Sequence, residues 1–145
     1  MVRHSDLLTR DLFEVPTPAA PIPGSQNYGV EVSHLVCEVL AQAHADRHEV
    51  AARMSRLAGR DVTKYMLDAW SAESRDGYNL PFYMAPVLET ACETHRLGAW
   101  LADKRGGRLL VGREALNAEL GRLERARDEA ARKIKQLKTV MGEEA

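Results

Sequence analysis

The sequence predicts an all-α protein, five short helices in one domain followed by a long C-terminal helix of coiled-coil type. Three observations predict it. From Val30 to Gly107 apolar residues recur at spacings of three and four, and no run alternates as a strand would. Glycines at 59, 77 and 106–107 divide that stretch into helix-sized pieces. Beyond them, Leu116, Leu120, Leu123, Arg127, Ala130, Ile134, Leu137 and Met141 alternate steps of four and three, a heptad seam.

The elements follow in order. Residues 1–28 form a flexible N-terminal arm, with an apolar cluster of Leu7, Leu8, Leu12 and Phe13 ahead of the Pro-rich run Pro16–Gly24, which reads as an extended polyproline-type linker. Leu7–Phe13 is either a docking peptide for a partner protein or a tail that rests on its own domain or is disordered. Residues 29–107 are the helical domain. Its first helix, about 30–44, carries Val32, Leu35, Val36, Val39, Leu40 and Ala43 on one stripe. Asp46 with Glu49 makes a capping box that opens a second helix, and Gly59 suits the left-handed position that closes it. A third helix runs from about Val62 to Ser74 with Val62, Met66, Ala69 and Trp70 inward. Asn79 caps a fourth helix with Pro81 in its first turn, burying Met84, Val87, Leu88 and Ala91 or Cys92. A fifth, around Arg96–Lys104, offers Leu97, Trp100 and Leu101 before Gly106-Gly107 stops it. Residues 108–145 hold the long helix, about 112–142.

Composition narrows the function classes. Across 145 residues, 45% are hydrophobic and 28% charged, which excludes a wholly disordered chain. No stretch reaches the roughly 20 apolar residues that span a bilayer, and residues 1–11 hold no signal-peptide core, so the expected compartment is cytoplasmic. Cys37 and Cys92 are too few for a disulfide framework and are expected as core thiols. The net charge of −1 provides no global attraction to nucleic acid, so any DNA binding needs a local face. Residues 1–45 carry two basic against five acidic side chains, residues 46–75 six against five, and residues 108–145 nine against seven.

Catalytic and metal signatures are missing. His48-Glu49 begins like a zinc-protease motif, but position 52 is Ala52 where the second histidine would stand. His44 and His48 flank a helix break without a third ligand, and no metal or cofactor is expected. There is neither a nucleophile elbow nor a glycine-rich phosphate loop after a strand, so an enzyme is not expected.

The most informative segment is 46–75. A short helix with small residues at its packing face, a glycine-containing connection and a second helix with basic and polar groups is the helix-turn-helix pattern. Ala51 or Ala52 lets the two helices cross closely, and Val62, Met66 and Trp70 anchor the second. Its other face would offer Arg60, Thr63, Lys64, Tyr65, Asp68, Ser71 and Arg75 to double-stranded DNA, with Arg60, Lys64 and Arg75 on phosphate or guanine and Thr63, Tyr65 and Ser71 as neighbouring readers. The start of the second helix would touch the DNA backbone.

The stretches Arg47–Ser55, Gly59-Arg60-Asp61-Val62-Thr63 and Met66-Leu67-Asp68-Ala69-Trp70-Ser71-Ala72-Glu73-Ser74 resemble small helix-turn-helix proteins of Mu-like transposable phages and prophages. In those proteins a Pro-containing helix and a charged helical tail follow, as do Leu80-Pro81 and residues 112–141 here. The order of elements also resembles the five-helix repressor domains of the λ type. The resemblance covers about residues 30–141 and implies a phage regulator of transcription. The rival from another class is a non-enzymatic adaptor that binds a phage or host protein through the helical domain and the C-terminal helix.

The heptad seam is expected to make a homodimer through Leu116, Leu120, Leu123, Ile134, Leu137 and Met141. A parallel pair would set Glu119 against Glu124 and Lys133 against Lys138. The antiparallel pair removes those contacts and lays Arg127 opposite Ala130, so an antiparallel coiled coil is expected. The alternative is a helix folded back on its own domain.

Overall fold

A computed structural model describes residues 15–75 and 77–142. The apolar cluster Leu7–Phe13 lies outside the described residues, as does Asp76 beside the Gly77 break. The described residues form six α-helices and no strand: α1 Gly29–Gln42, α2 Arg47–Ala58, α3 Lys64–Trp70, α4 Ala85–Cys92, α5 Arg96–Lys104 and α6 Arg113–Val140. The chain divides into two compact units, residues 1–108 and 109–145. No helix among the described residues is long and apolar enough to cross a membrane.

The core of the first unit comes from the stripes that the periodicity marks. Val36, Val39 and Leu40 of α1, Val50 and Met54 of α2, Leu67 and Trp70 of α3, and Leu88 of α4 are buried together. Met84, which precedes α4, and Leu97 of α5 close the cluster. Local chemistry sets the bounds of α2. The Asp46 side chain accepts the Glu49 N–H, and Gly59 adopts φ 65° while its N–H returns to Ser55 O. Only a residue tolerant of the left-handed region ends a helix this way at little cost.

Two elements depart from expectation. The third helix is shorter than 62–74, because Thr63 is its N-cap, accepting the Met66 N–H, and Val62 is buried ahead of it. At its other end the Ser71 hydroxyl donates to Leu67 O and lies in hydrogen-bond range of Asp68 O, a local competitor with continued helix. A 3₁₀ turn at Glu73–Arg75 follows. Leu67 is fully buried, whereas Met66 is only half-buried.

The fourth helix also starts later than expected. Pro81 leads into a 3₁₀ turn, Phe82–Met84, and it is Pro86 that occupies the first turn of α4. Asn79 does not cap this helix. Its side-chain amide donates to Gly29 O and to Ser33 Oγ, satisfying the buried Ser33 and tying the loop to the start of α1.

The Pro-rich segment meets the end of α5. Pro18 bridges to Arg105, and the Ala19 N–H donates to Lys104 O at 3.1 Å. Gly106 makes this approach possible. It has φ 72°, and a Cβ there would overlap the Pro18 ring and the Thr17 backbone. Gly106→Ala is expected to cost about 1–2 kcal/mol from backbone conformation alone and to detach residues 17–19. Faster amide exchange at Ala19 and a lower denaturation midpoint would report it; an unchanged Ala19 amide would refute the close approach.

Residues 109–145 are dominated by α6. Its 28 residues bury no side chain, and Leu116, Leu120, Leu123, Ile134 and Leu137 remain 51–71% exposed.

Candidate nucleic-acid interface

The α2–α3 pair determines where each of the seven sequence-predicted residues lies. The connection Gly59–Thr63 is pinned by Ser55, whose hydroxyl bonds both Ala51 O and the backbone of Val62. With Val62, Leu67 and Trp70 buried, the opposite side of α3 faces outward. Arg60 and Tyr65 are exposed there, as is Arg75 from the following 3₁₀ turn.

These three form two cation–aromatic pairs. The Arg60 guanidinium sits over the Tyr83 ring at 5.6 Å, and the Arg75 guanidinium lies 5.4 Å from the Tyr65 ring centroid and donates to the Tyr65 hydroxyl at 2.9 Å. Neither arginine is bonded to a carboxylate among the described residues. Such stacking restrains a long side chain while leaving its charge uncancelled. Both pairs flank the first turn of α3.

The remaining predicted residues are used differently. Asp68 accepts from Lys64 Nζ at 2.7 Å and from Arg47 Nη1 at 2.8 Å, and the same Arg47 nitrogen donates to Ser71 Oγ at 2.8 Å. Asp68 and Ser71 therefore clamp the start of α2 to α3. Thr63 spends its hydroxyl oxygen as the N-cap, though its side chain is exposed. Lys64 stands on the outward side with its charge matched by Asp68.

The hydrogen bonds from Lys64 and then Arg47 hold the Asp68 carboxyl below its ordinary value of 3.8. A depressed folded-state pKa stabilises above the unfolded value, and that contribution disappears as pH falls through the folded value. Wild-type stability should thus be flat with respect to this group down to about pH 4 and fall below it. Asp68→Asn should show a shallower acid limb in thermal denaturation across that range, and superimposable limbs would exclude the clamp. The group is exposed, so the effect is small.

Tyr83 and Arg47 have roles that the sequence pattern does not reveal. Tyr83 follows Pro81-Phe82 in a segment that reads as helix start, and Arg47 looks like an ordinary first-turn residue. An exposed Phe82-Tyr83 pair beside a proline was the available signal.

No family model, curated protein or solved structure matches the chain. What the site can do therefore rests on its own geometry. Two guanidiniums stacked on tyrosine rings can hold phosphate or the guanine edge, and Tyr65 adds a hydroxyl and a ring. Among the described residues, no group of three or more His, Cys, Asp or Glu side chains could hold a metal ion. Cys37 and Cys92 are free and half-buried, and burial raises the Cys92 thiol above its ordinary value, so it is a poor nucleophile.

Proposed function

We propose that the protein is a sequence-specific DNA-binding regulator of phage or prophage transcription, with α3 as the recognition helix of a helix-turn-helix. The observation that carries this reading is the pair of outward guanidiniums, Arg60 on Tyr83 and Arg75 on Tyr65, neither of them bonded to a carboxylate among the described residues. The resemblance of residues 47–74 to helix-turn-helix proteins of Mu-like phages supports the regulatory role. In this reading α3 enters the major groove, Arg60 and Arg75 take phosphate or guanine, and Thr63, Lys64 and Tyr65 lie nearest the bases. Asp68 and Ser71 set the angle between the helices through Arg47.

The uncovered stripe of α6 supports an antiparallel homodimer. It would pair Leu116 with Met141, Leu120 with Leu137 and Leu123 with Ile134, and would present two domains to two half-sites.

An adaptor reading is favoured by one observation, the pairing of Lys64 with Asp68, which neutralises one of the three basic side chains expected to contact DNA. Mobility shift with DNA from upstream of the protein's own coding sequence, at low and at raised salt, separates the two. The DNA reading requires a shift whose affinity falls steeply with salt, by about 0.9 in log–log slope per phosphate neutralised. No shift at low salt would leave the adaptor.

A further inference from the structure

Aromatic side chains are unevenly distributed over the surface. Among the described residues, every exposed aromatic ring (Tyr65, Tyr78, Phe82 and Tyr83) lies between positions 65 and 83. Two of them carry the arginines of the candidate interface, with the Arg60 guanidinium 5.6 Å from the Tyr83 centroid and that of Arg75 5.4 Å from the Tyr65 centroid. Both rings remain open to solvent all the same, Tyr65 at 65% and Tyr83 at 61%. Their mounts are firm. Tyr65 precedes half-buried Met66 and fully buried Leu67, and Tyr83 stands in a 3₁₀ turn directly before buried Met84. Exposed apolar surface gathered in one stretch and accompanied by cations marks a contact surface.

We propose that Tyr65 and Tyr83 are stacking platforms for unpaired bases, so that the DNA held by this face is locally opened, with Arg60 and Arg75 on the neighbouring phosphates. The inference rests on the DNA reading above and adds the state in which the DNA is bound. An intact duplex offers only base edges in its grooves, and its base faces are stacked on one another. It therefore leaves the faces of two exposed tyrosine rings without a counterpart. The Tyr65 hydroxyl is already engaged, accepting from Arg75 at 2.9 Å, so the ring is the larger part of what Tyr65 offers. An unstacked base supplies the missing face.

Charge favours a nucleic acid over a protein as the occupant. Neither arginine is bonded to a carboxylate among the described residues, and each stands against an aromatic ring. The unit of ring and cation thus occurs twice, once in α3 with the turn behind it and once between the α2–α3 connection and the turn before α4. A nucleic acid strand repeats the matching unit, a base with a phosphate beside it. Stacking on the ring and ion pairing with the guanidinium are then satisfied together at each position.

Fluorescence anisotropy on the full chain tests this, comparing the upstream duplex with versions of it in which two adjacent mismatched pairs are stepped along the sequence. A mismatch lowers the cost of unstacking. At the step that meets the two rings, binding should tighten about tenfold, in the range gained by stacking one base. Tyr65→Leu with Tyr83→Leu keeps apolar bulk at two exposed sites and should abolish that gain, whereas Tyr65→Phe with Tyr83→Phe keeps the rings and should retain it. Wild-type binding to the intact duplex, with no mismatched version bound more tightly, would overturn the proposal and leave DNA binding standing. A gain that persists in the folded Leu variant would overturn it too, because the rings would not be its source. If neither intact nor mismatched DNA is bound, the DNA reading itself fails, and the face belongs to a protein partner.

Discussion

Replacing Trp70 by alanine is expected to cost about 3–5 kcal/mol, the range for deleting a large aromatic from a filled core. Trp70 is 2% exposed and is the largest of the fully buried side chains. It sits at the last position of α3, so its loss leaves Leu67, with the smaller Ala69 and the partly buried Met66, to hold a seven-residue helix against the core. Against a total stability of about 5–15 kcal/mol, such a loss removes a large share of what keeps the domain folded. Urea denaturation should show a much lower midpoint at an unchanged slope. A near-native midpoint would mean that α3 is rotated about its axis and that the outward set around Tyr65 is wrongly assigned.

The second large effect is expected in α6. An isolated helix in water draws little stability from propensity alone, and this one offers six large apolar side chains at least half exposed. The Glu119–Arg122 and Glu129–Lys133 pairs are exposed surface contacts that contribute little. In the proposed dimer, pairing of the heptad seams would supply the missing burial. Light scattering on the full chain should give twice the 16.1 kDa of one chain. Leu123→Asp with Ile134→Asp places carboxylates at facing positions in the antiparallel register. That variant should be monomeric and should lose ellipticity corresponding to much of α6. A wild-type monomer at micromolar concentration would contradict the dimer, and a dimer that survives both substitutions would locate the interface elsewhere.

What could be read from the sequence depended on how far apart the interacting groups are. The ends of α2 were legible because Asp46 and Gly59 act within a turn of the residues they satisfy. The buried stripe Val36, Val39 and Leu40 was legible because helical spacing alone gathers it. Asn79 was not, since its partners Gly29 and Ser33 lie 50 and 46 residues away and its neighbourhood mimics a helix start. The same holds for the site. Arg60, Tyr65 and Arg75 are outward as their positions in the pattern suggested. Asp68 and Ser71 were assigned to the same face because nothing local reveals that Arg47, 21 and 24 residues earlier, reaches across to them. The early end of α3 belongs with this group, because Ser71 at the close of the helix also receives the Arg47 bond.

The pairing of Arg60 with Tyr83 and of Arg75 with Tyr65 also determines how the central claim is best tested. Both guanidiniums are on the surface, so Arg60→Ala with Arg75→Ala should leave the fold intact, which circular dichroism and the denaturation midpoint can verify. The decisive measurement is the salt dependence of DNA affinity for the wild type and this double variant, by fluorescence anisotropy with the same upstream duplex. If each arginine holds a phosphate, the log–log slope should become shallower by about 2, with weaker binding to every sequence. If one reads guanine, discrimination should relax at one base pair at a cost of about 1–3 kcal/mol. Equal affinities and equal slopes for the folded variant and the wild type would contradict the assignment of this face to DNA.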